Sequence, residues 1–419
     1  MTAAMHPEDA APTALICGTF DVGNYGDLLF PIVAAHRLGR LGWRVLPVSP
    51  TMQPSGFADA LPALPLAEIV DRTRFDAVLI GGGDIIHGWR ADFLREYRIG
   101  DLPGWAYTAL WFGATAAAAL ADVPVAWNAP GVPSPFPEQP RRLALQPALA
   151  AADYVAVRDP ASAQFLGSTT EAEIAVVPDT VAELAQVWPR AVLAPMFRAL
   201  AARKGIGAEE ALLAVHLRPG GTGPAAPEAI AARLADFAGA RGLVPLLVSI
   251  GPSLGDAATL RRLAAALPLR HVCLDDPASL QDVAAAIAAS RLYIGNSMHG
   301  YITAASYGVP GVIVARPAFR KFAGITRHVG RDADAVPDWE TALDRAAGIL
   351  GERVEIGAPV FAAIETHWQR LASAIADRDA GRARRARFLR ALVAGGVATA
   401  GFGWLTQPFV TRAGSGRVP

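Results

Sequence analysis

Residues 290–316, SRLYIGNSMHGYITAASYGVPGVIVAR, carry a strand, a polar turn, a helix and a second strand in one run. The apolar segment Leu292 to Gly295 reads as a buried strand, Asn296 and Ser297 as the turn, and Gly311 to Ala315 as the next strand. Gly308 and Pro310 stand where the helix between them must stop. Glycine accepts the left-handed position after a helix, and proline cannot continue one. Ser297 is placed to cap that helix, which puts His299 in its first turn. Unpaired backbone N–H groups and the positive end of the helix dipole make such a turn favourable for an anion. An imidazole held there is a candidate acid or base for a substrate bearing phosphate or carboxylate; the plainer reading is a histidine that caps or packs.

Working outward, short β-like runs alternate with alanine-rich helices along most of the chain, the pattern of an α/β fold with mostly parallel sheets. Thr13 to Cys17 reads as the first strand and leads into GTFDVGNYGDLLF, with a helix expected from about Asp27 to Leu41. Gly18, Gly23 and Gly26 in that turn would let backbone N–H groups approach an anion. No Gly-Lys-Ser/Thr follows and the GxGxxG spacing is absent, so neither a Walker loop nor a dinucleotide fingerprint is present. Arg44 to Val48 and Asp76 to Ile80 read as further strands. The latter runs into Gly81-Gly82-Gly83-Asp84, more glycine than a turn requires, with Asp84 or His87 facing whatever binds there. Ligands of open α/β sheets gather outside the carboxyl ends of strands. Trp105 to Leu120 is uncharged but only about 16 residues long, which suits a buried helix better than a membrane span.

Val123 to Asn128, Tyr154 to Val157 and Ile174 to Val177 complete the strands of a first half, the last two ending in Arg158-Asp159 and Pro178-Asp179. A helical connection is expected over 181–210. The second half places strands at Leu212 to Leu217, Val244 to Ile250 and His271 to Leu274, followed by the opening stretch. The expected organisation is a loose tail (1–12), an N-terminal α/β domain (13–190), a C-terminal α/β domain (191–350), a crossing helix (351–378) and an arginine-rich, then apolar, tail (379–419). Two Rossmann-like domains facing a cleft form a GT-B-like architecture.

Composition excludes several classes. Lys+Arg and Asp+Glu are both 38, so no global field points to nucleic acid. Cys17 and Cys273 both lie in apolar runs, offering no disulfide framework and no zinc-ligand spacing, and they argue for a reducing compartment. The first twelve residues lack a basic segment followed by an apolar core, so no secretory signal is expected and the protein is expected in the cytoplasm. At the other end, six arginines from Arg378 to Arg390 cluster around the start of FLRALVAGGVATAGFGWL. That arrangement suits peripheral contact with the inner face of an anionic membrane, or else a loosely ordered tail.

Taken together, Asn24-Tyr25-Gly26-Asp27, Gly81-Gly82-Gly83-Asp84, Arg158-Asp159-x-x-Ser162, Pro178-Asp179, His299-Gly300 through Ala304, Gly308-x-Pro310 and Lys321 resemble, in order and spacing, the polysaccharide pyruvyl transferase family. The resemblance spans roughly residues 13–350. It implies transfer of a pyruvyl group from phosphoenolpyruvate to two hydroxyls of a sugar, free or lipid-linked, as a cyclic ketal, with no cofactor and no metal. It implies His299 as acid/base and Asp27 or Asp84 orienting the acceptor; should His299 prove dispensable, Asp27, Asp84 and His216 are the next candidates. Gly23, Asn24, Gly26, Gly82, Gly83, Arg158, Asp179, Arg218, Ser297, Gly300, Arg316, Arg320 and Lys321 are the implied binding residues. One position departs: many members carry Arg-x-His where this chain has Ser297-Met298-His299. Arg218, Arg316 and Arg320 are the candidates to replace that charge. The rival readings are a glycosyltransferase using a nucleotide-sugar donor and a non-catalytic relative.

Overall fold

The computed structural model describes residues 11–71, 74–167, 173–223, 227–316 and 320–406. Most of the expected N-terminal tail therefore lies outside the described residues. Seven parallel strands, β1 (Thr13–Cys17), β2 (Arg44–Ser49), β3 (Leu64–Pro65), β4 (Ala77–Ile80), β5 (Val125–Trp127), β6 (Tyr154–Val157) and β7 (Ile174–Val176), form one sheet in the order β3-β2-β1-β4-β5-β6-β7. Six more, β8 (Ala211–His216), β9 (Leu243–Val248), β10 (Val272–Leu274), β11 (Leu292–Gly295), β12 (Gly311–Val314) and β13 (Ala335–Val336), form a second parallel sheet ordered β10-β9-β8-β11-β12-β13. In each sheet the first strand of its half lies inside and its second and fourth strands flank it. That arrangement leaves a crevice at the carboxyl ends where the strand order reverses.

The central strands β1, β4, β8 and β11 are apolar and almost wholly buried, because helices cover both faces of a parallel sheet. The two halves meet through the helices that follow β1 and β11. Tyr25 of helix Tyr25–Gly39 and Thr303 of helix Met298–Ser306 share a buried hydroxyl–hydroxyl bond of 2.9 Å. The expected buried helix begins earlier, at Leu102, and runs to Leu120 with a π turn at Ala109–Gly113. Helix Ala358–Ala376 crosses back to the N-terminal domain, where His367 binds Asn128 (2.8 Å) and Tyr154 (3.0 Å), and Trp368 donates to Glu183 (3.1 Å).

The arginine-rich segment is ordered. Helix Arg382–Ala400 lies on the N-terminal domain with Phe388 buried against Phe112. Arg382 and Arg385 pair with Asp122, and Arg384 and Arg385 with Asp153, while Arg378 donates to the carbonyls of Ala121 and Asp122. Part of the cluster expected to face a membrane thus neutralises two carboxylates, one of them buried. No described helix is long and apolar enough to cross a membrane.

Two buried histidines set the response to acid. Burial, and then the nearby Arg37, push His367 down to about 3; burial pushes His87 down to about 4. Unfolded, both would titrate near ~6.5. Because the folded values are depressed, this stability is fully present above about pH 6.5 and is lost as pH falls towards the folded values, at about 1.4 kcal/mol per unit for each ring. The denaturant midpoint should be level from pH 7 to 8 and drop from 6 to 5, and His367→Gln should lose part of that slope. A midpoint unchanged between pH 7.5 and 5 would contradict this.

Candidate active site between the two domains

Strand ends of both sheets converge on one cavity. At the end of β1, Asn24 adopts an extended conformation before helix Tyr25–Gly39, and Asp27 falls in its first turn. The Asp27 carboxylate accepts from Thr19 Oγ1 and Asn24 Nδ2, both at 2.8 Å. The glycines after β4 serve close approach. Gly83 is left-handed (φ +73°), and a Cβ there would lie 2.5 Å from the Asp27 carboxylate. Gly82 (φ +107°) packs on Phe20 and Phe30 behind the cavity. Only glycine combines that backbone with that proximity. Gly23 donates its N–H to Ser253 of the opposite domain (2.9 Å), so its role is to join the domains.

Arg158, at the end of β6, is buried and paired with Asp84 over Gly131, where a Cβ would meet both side chains within 2.6 Å. Burial opposes its charge, but Asp84, Asp179 and Asp159 outweigh that and hold its pKa above the ordinary value. Asp159 and Ser162 are structural: Asp159 caps helix Pro160–Leu166 through the Ser162 N–H (2.7 Å), and Ser162 Oγ accepts from the Val132 N–H (3.0 Å).

His299 is the second residue of helix Met298–Ser306, which Ser297 caps by accepting from the Gly300 N–H (3.2 Å). Gly300 is small because Tyr293 Oη lies 2.3 Å from where its Cβ would be. The imidazole stands edge-on to Phe30 (centroids 5.4 Å, 85°) and rests on Gly26, where a Cβ would lie 1.9 Å from Nδ1. Its Nε2 faces Asp179 Oδ2 across the domain boundary at 3.5 Å. That contact falls outside hydrogen-bond geometry, and neither atom has another hydrogen-bond partner among the described residues. Burial raises the Asp179 pKa, but His299, Arg158 and the Val181 N–H together hold it below the usual carboxylate value.

The other wall holds a second pair. His216 ends β8, and its Nε2 lies 2.7 Å from Asp256 Oδ2, which also accepts from the Gly251 N–H at 2.6 Å. Both side chains are buried, and His216 Nδ1 has no partner among the described residues. Arg218 lines the same cavity, with burial lowering its pKa.

The cavity therefore gathers Asn24, Asp27, Gly83, Asp84, Arg158, Arg218, Ser297 and His299. Arg316 is not among its lining residues; its Nε donates to the Pro337 carbonyl (2.6 Å). The side chains of Arg320 and Lys321 lie outside the described residues, although Phe322 of their helix lines the cavity. Asp256 was missed, having no motif around it. Asn296, which lines the cavity while its Nδ2 donates to the Val314 carbonyl (2.9 Å), read only as a turn residue. Among the described residues, no group of three or more His, Cys, Asp or Glu is placed to hold a metal ion.

The fold is shared with sugar-nucleotide enzymes. UDP-GlcNAc 2-epimerase from Neisseria meningitidis, solved bound to UDP-GlcNAc, superposes with a TM-score of 0.52 at 11% identity, covering 91% of this chain and 100% of that one. The Methanocaldococcus jannaschii enzyme of the same name gives 0.52 at 13% identity, covering 86% and 99%. These likenesses place the chain in the GT-B-like fold and go no further. Comparison with curated proteins gave no significant match. The polysaccharide pyruvyl transferase family model matches residues 24–317, from the Asn24 turn beside Asp27 to just past β12, and takes in every cavity-lining residue named here except Phe322. The chain belongs to the polysaccharide pyruvyl transferase family.

Proposed function

We propose that the protein transfers a pyruvyl group from phosphoenolpyruvate to two hydroxyls of a sugar in a cell-surface polysaccharide or its lipid-linked precursor, forming a cyclic ketal. The observation that carries this is the His299–Asp179 couple, built from both domains, with His299 lining one cleft alongside Arg158 and Arg218. The donor is a dense anion. Arg218 and the first-turn N–H groups ahead of His299 supply positive potential for it, and Ser297, shorter than arginine, leaves that helix end open. Arg158 is largely committed to Asp84 and Asp179 and holds the floor of the site in place.

The chemistry moves protons in opposite directions. His299 protonates the methylene carbon, and the first hydroxyl adds to the neighbouring carbon and gives up its proton. The bond to phosphate breaks, and the second hydroxyl closes the ketal with loss of its own proton. One hydroxyl proton replaces the one His299 delivered; the other departs with phosphate. We assign the removal of hydroxyl protons to His216, oriented by Asp256, with Asp27 positioning the acceptor. His216→Gln should lower turnover by about two to four powers of ten with phosphoenolpyruvate affinity retained. Normal turnover in that variant would remove His216 from the mechanism. The reaction itself is tested by mass spectrometry of the surface glycan with and without the gene. The ketal-linked pyruvate should disappear with the gene, and an unchanged glycan argues against the assignment.

A lipid-linked acceptor would place the enzyme at the inner membrane face. The C-terminal end supports this: Arg387 and Arg390 precede an uncharged helix end where Phe402, Trp404 and Leu405 are exposed. Replacing Phe402 and Trp404 by serine should weaken co-sedimentation with phosphatidylserine-containing vesicles. Equal sedimentation of variant and parent would end the membrane reading.

A further inference from the structure

The cleft continues into a ledge with no assigned role. Fourteen large apolar side chains are exposed among the described residues, and four of them, Trp89, Phe93, Ile99 and Trp105, lie on the single segment that leads away from Asp84. Such a concentration marks a contact surface, where scattered single exposures would mean nothing.

The segment is rigidly seated. Leu94, Tyr97 and Leu102 anchor it in the core, and Tyr97 Oη donates to the buried Asp21 carboxylate. Trp111 Nε1 donates to the His87 carbonyl (3.0 Å), and the Trp89 N–H donates to His87 Nδ1 (3.1 Å). His87 is thus a neutral ring fixed beneath the surface; of the two candidates after β4, Asp84 lines the cavity and His87 does not. The exposed rings lean on buried ones. Trp89 lies 4.7 Å from His87, His87 lies 4.1 Å from Tyr107, and Phe93 stacks on Tyr107 at 6.0 Å and 18°. Glu96 then accepts from Ser253 Oγ (2.7 Å), beside the cavity residue Leu254, so the ledge meets the rim of the cleft on both sides.

We propose that this ledge is the acceptor subsite, on which pyranose rings of an uncharged stretch of glycan stack against Trp89 and Phe93. The proposal rests on the polysaccharide acceptor of the reading above and names where the chain lies. A pyranose has an apolar C–H face rimmed by hydroxyls. The ledge offers flat apolar faces, 54% and 56% exposed, rimmed by the forked Arg90–Asp92 pair (2.8 and 3.1 Å), which both donates and accepts. Its charges balance, Arg90, Arg95 and Arg98 against Asp92, Glu96 and Asp101, so it lacks the positive field that an anionic membrane or nucleic acid would select. Rings already held from beneath lose little freedom on binding.

The test is a titration of the whole protein with methyl pyranosides of glucose, galactose, mannose and N-acetylmannosamine and with β-linked disaccharides of the same sugars. Binding is read by tryptophan fluorescence and saturation-transfer NMR, and phosphoenolpyruvate binding is measured on the same samples by thermal shift. At least one disaccharide should bind saturably. Trp89→Ala and Phe93→Ala should each weaken it by about three- to tenfold, the size of one aromatic contact, and the pair together should abolish it. Trp89→Phe should retain it, and the melting temperature should hold throughout. Absence of saturable binding by every probe, or unchanged affinity in the double variant, overturns the proposal. So does a double variant that loses only vesicle binding. Loss of the phosphoenolpyruvate shift with sugar binding intact would instead count against the donor and leave the ledge standing.

Discussion

His299→Ala should lower turnover by about two to four powers of ten, the usual size of a lost general acid or base. The structure adds a complication. His299 is almost wholly buried, and removing it leaves the Asp179 carboxylate facing an empty space at the domain boundary. That carboxylate loses the imidazole that helps to hold it ionised, so the alanine variant should also melt earlier. His299→Gln separates the two effects, because the amide can still face Asp179 but cannot shuttle a proton. If the imidazole moves protons, Gln is as inactive as Ala and donor affinity is kept. If it only binds donor, Gln retains turnover and the loss falls on KM. Near-normal kcat in both variants contradicts the assignment, whatever their stability.

Gly26→Ala should be nearly as damaging, although it adds a single methyl group far along the chain. The new Cβ would lie 1.9 Å from His299 Nδ1, so the imidazole must swing away or the two helices must part. A displacement of about 1 Å at a reacting group can cost a hundredfold in rate, and a loss of at least that size is expected in kcat. Gly26 is the second residue of its helix, where alanine is intrinsically better by about 1 kcal/mol. Stability should therefore fall far less than activity. Full activity in a folded Gly26→Ala protein would mean that the imidazole does not work from the position seen here.

These two variants show why the site was only partly legible. The run Gly81 to Gly83 was readable because close approach and left-handed backbone leave a local mark, and His299 because it falls in a first helical turn; Gly26 read as backbone room for an anion, whereas it meets the His299 ring. The Ser297 cap and the Gly308 stop, left-handed at φ +75°, follow from local rules and stand as expected. Partnerships across the fold left no such mark. Nothing near Asp179 says that it will meet an imidazole 120 residues away, and Asp256 sits in an ordinary helix start. Arg316 and Arg158 look alike as charges at strand ends. Packing alone turns one to the Pro337 carbonyl and the other into a buried pair with Asp84. The arginine cluster was legible only as charge, because composition does not record the carboxylates that meet Arg384 and Arg385.

The neighbours in structure, at 11% and 13% identity, are enzymes named for UDP-GlcNAc, so the donor needs a direct test. Calorimetric titration of the intact protein with phosphoenolpyruvate, and separately with UDP-GlcNAc and UDP-glucose, is the most direct test of which chemistry the cleft serves. Phosphoenolpyruvate should bind at a single saturable site that is weakened in an Arg218→Ala variant, with no heat from either nucleotide sugar. Saturable binding of a nucleotide sugar with none of phosphoenolpyruvate would contradict the account.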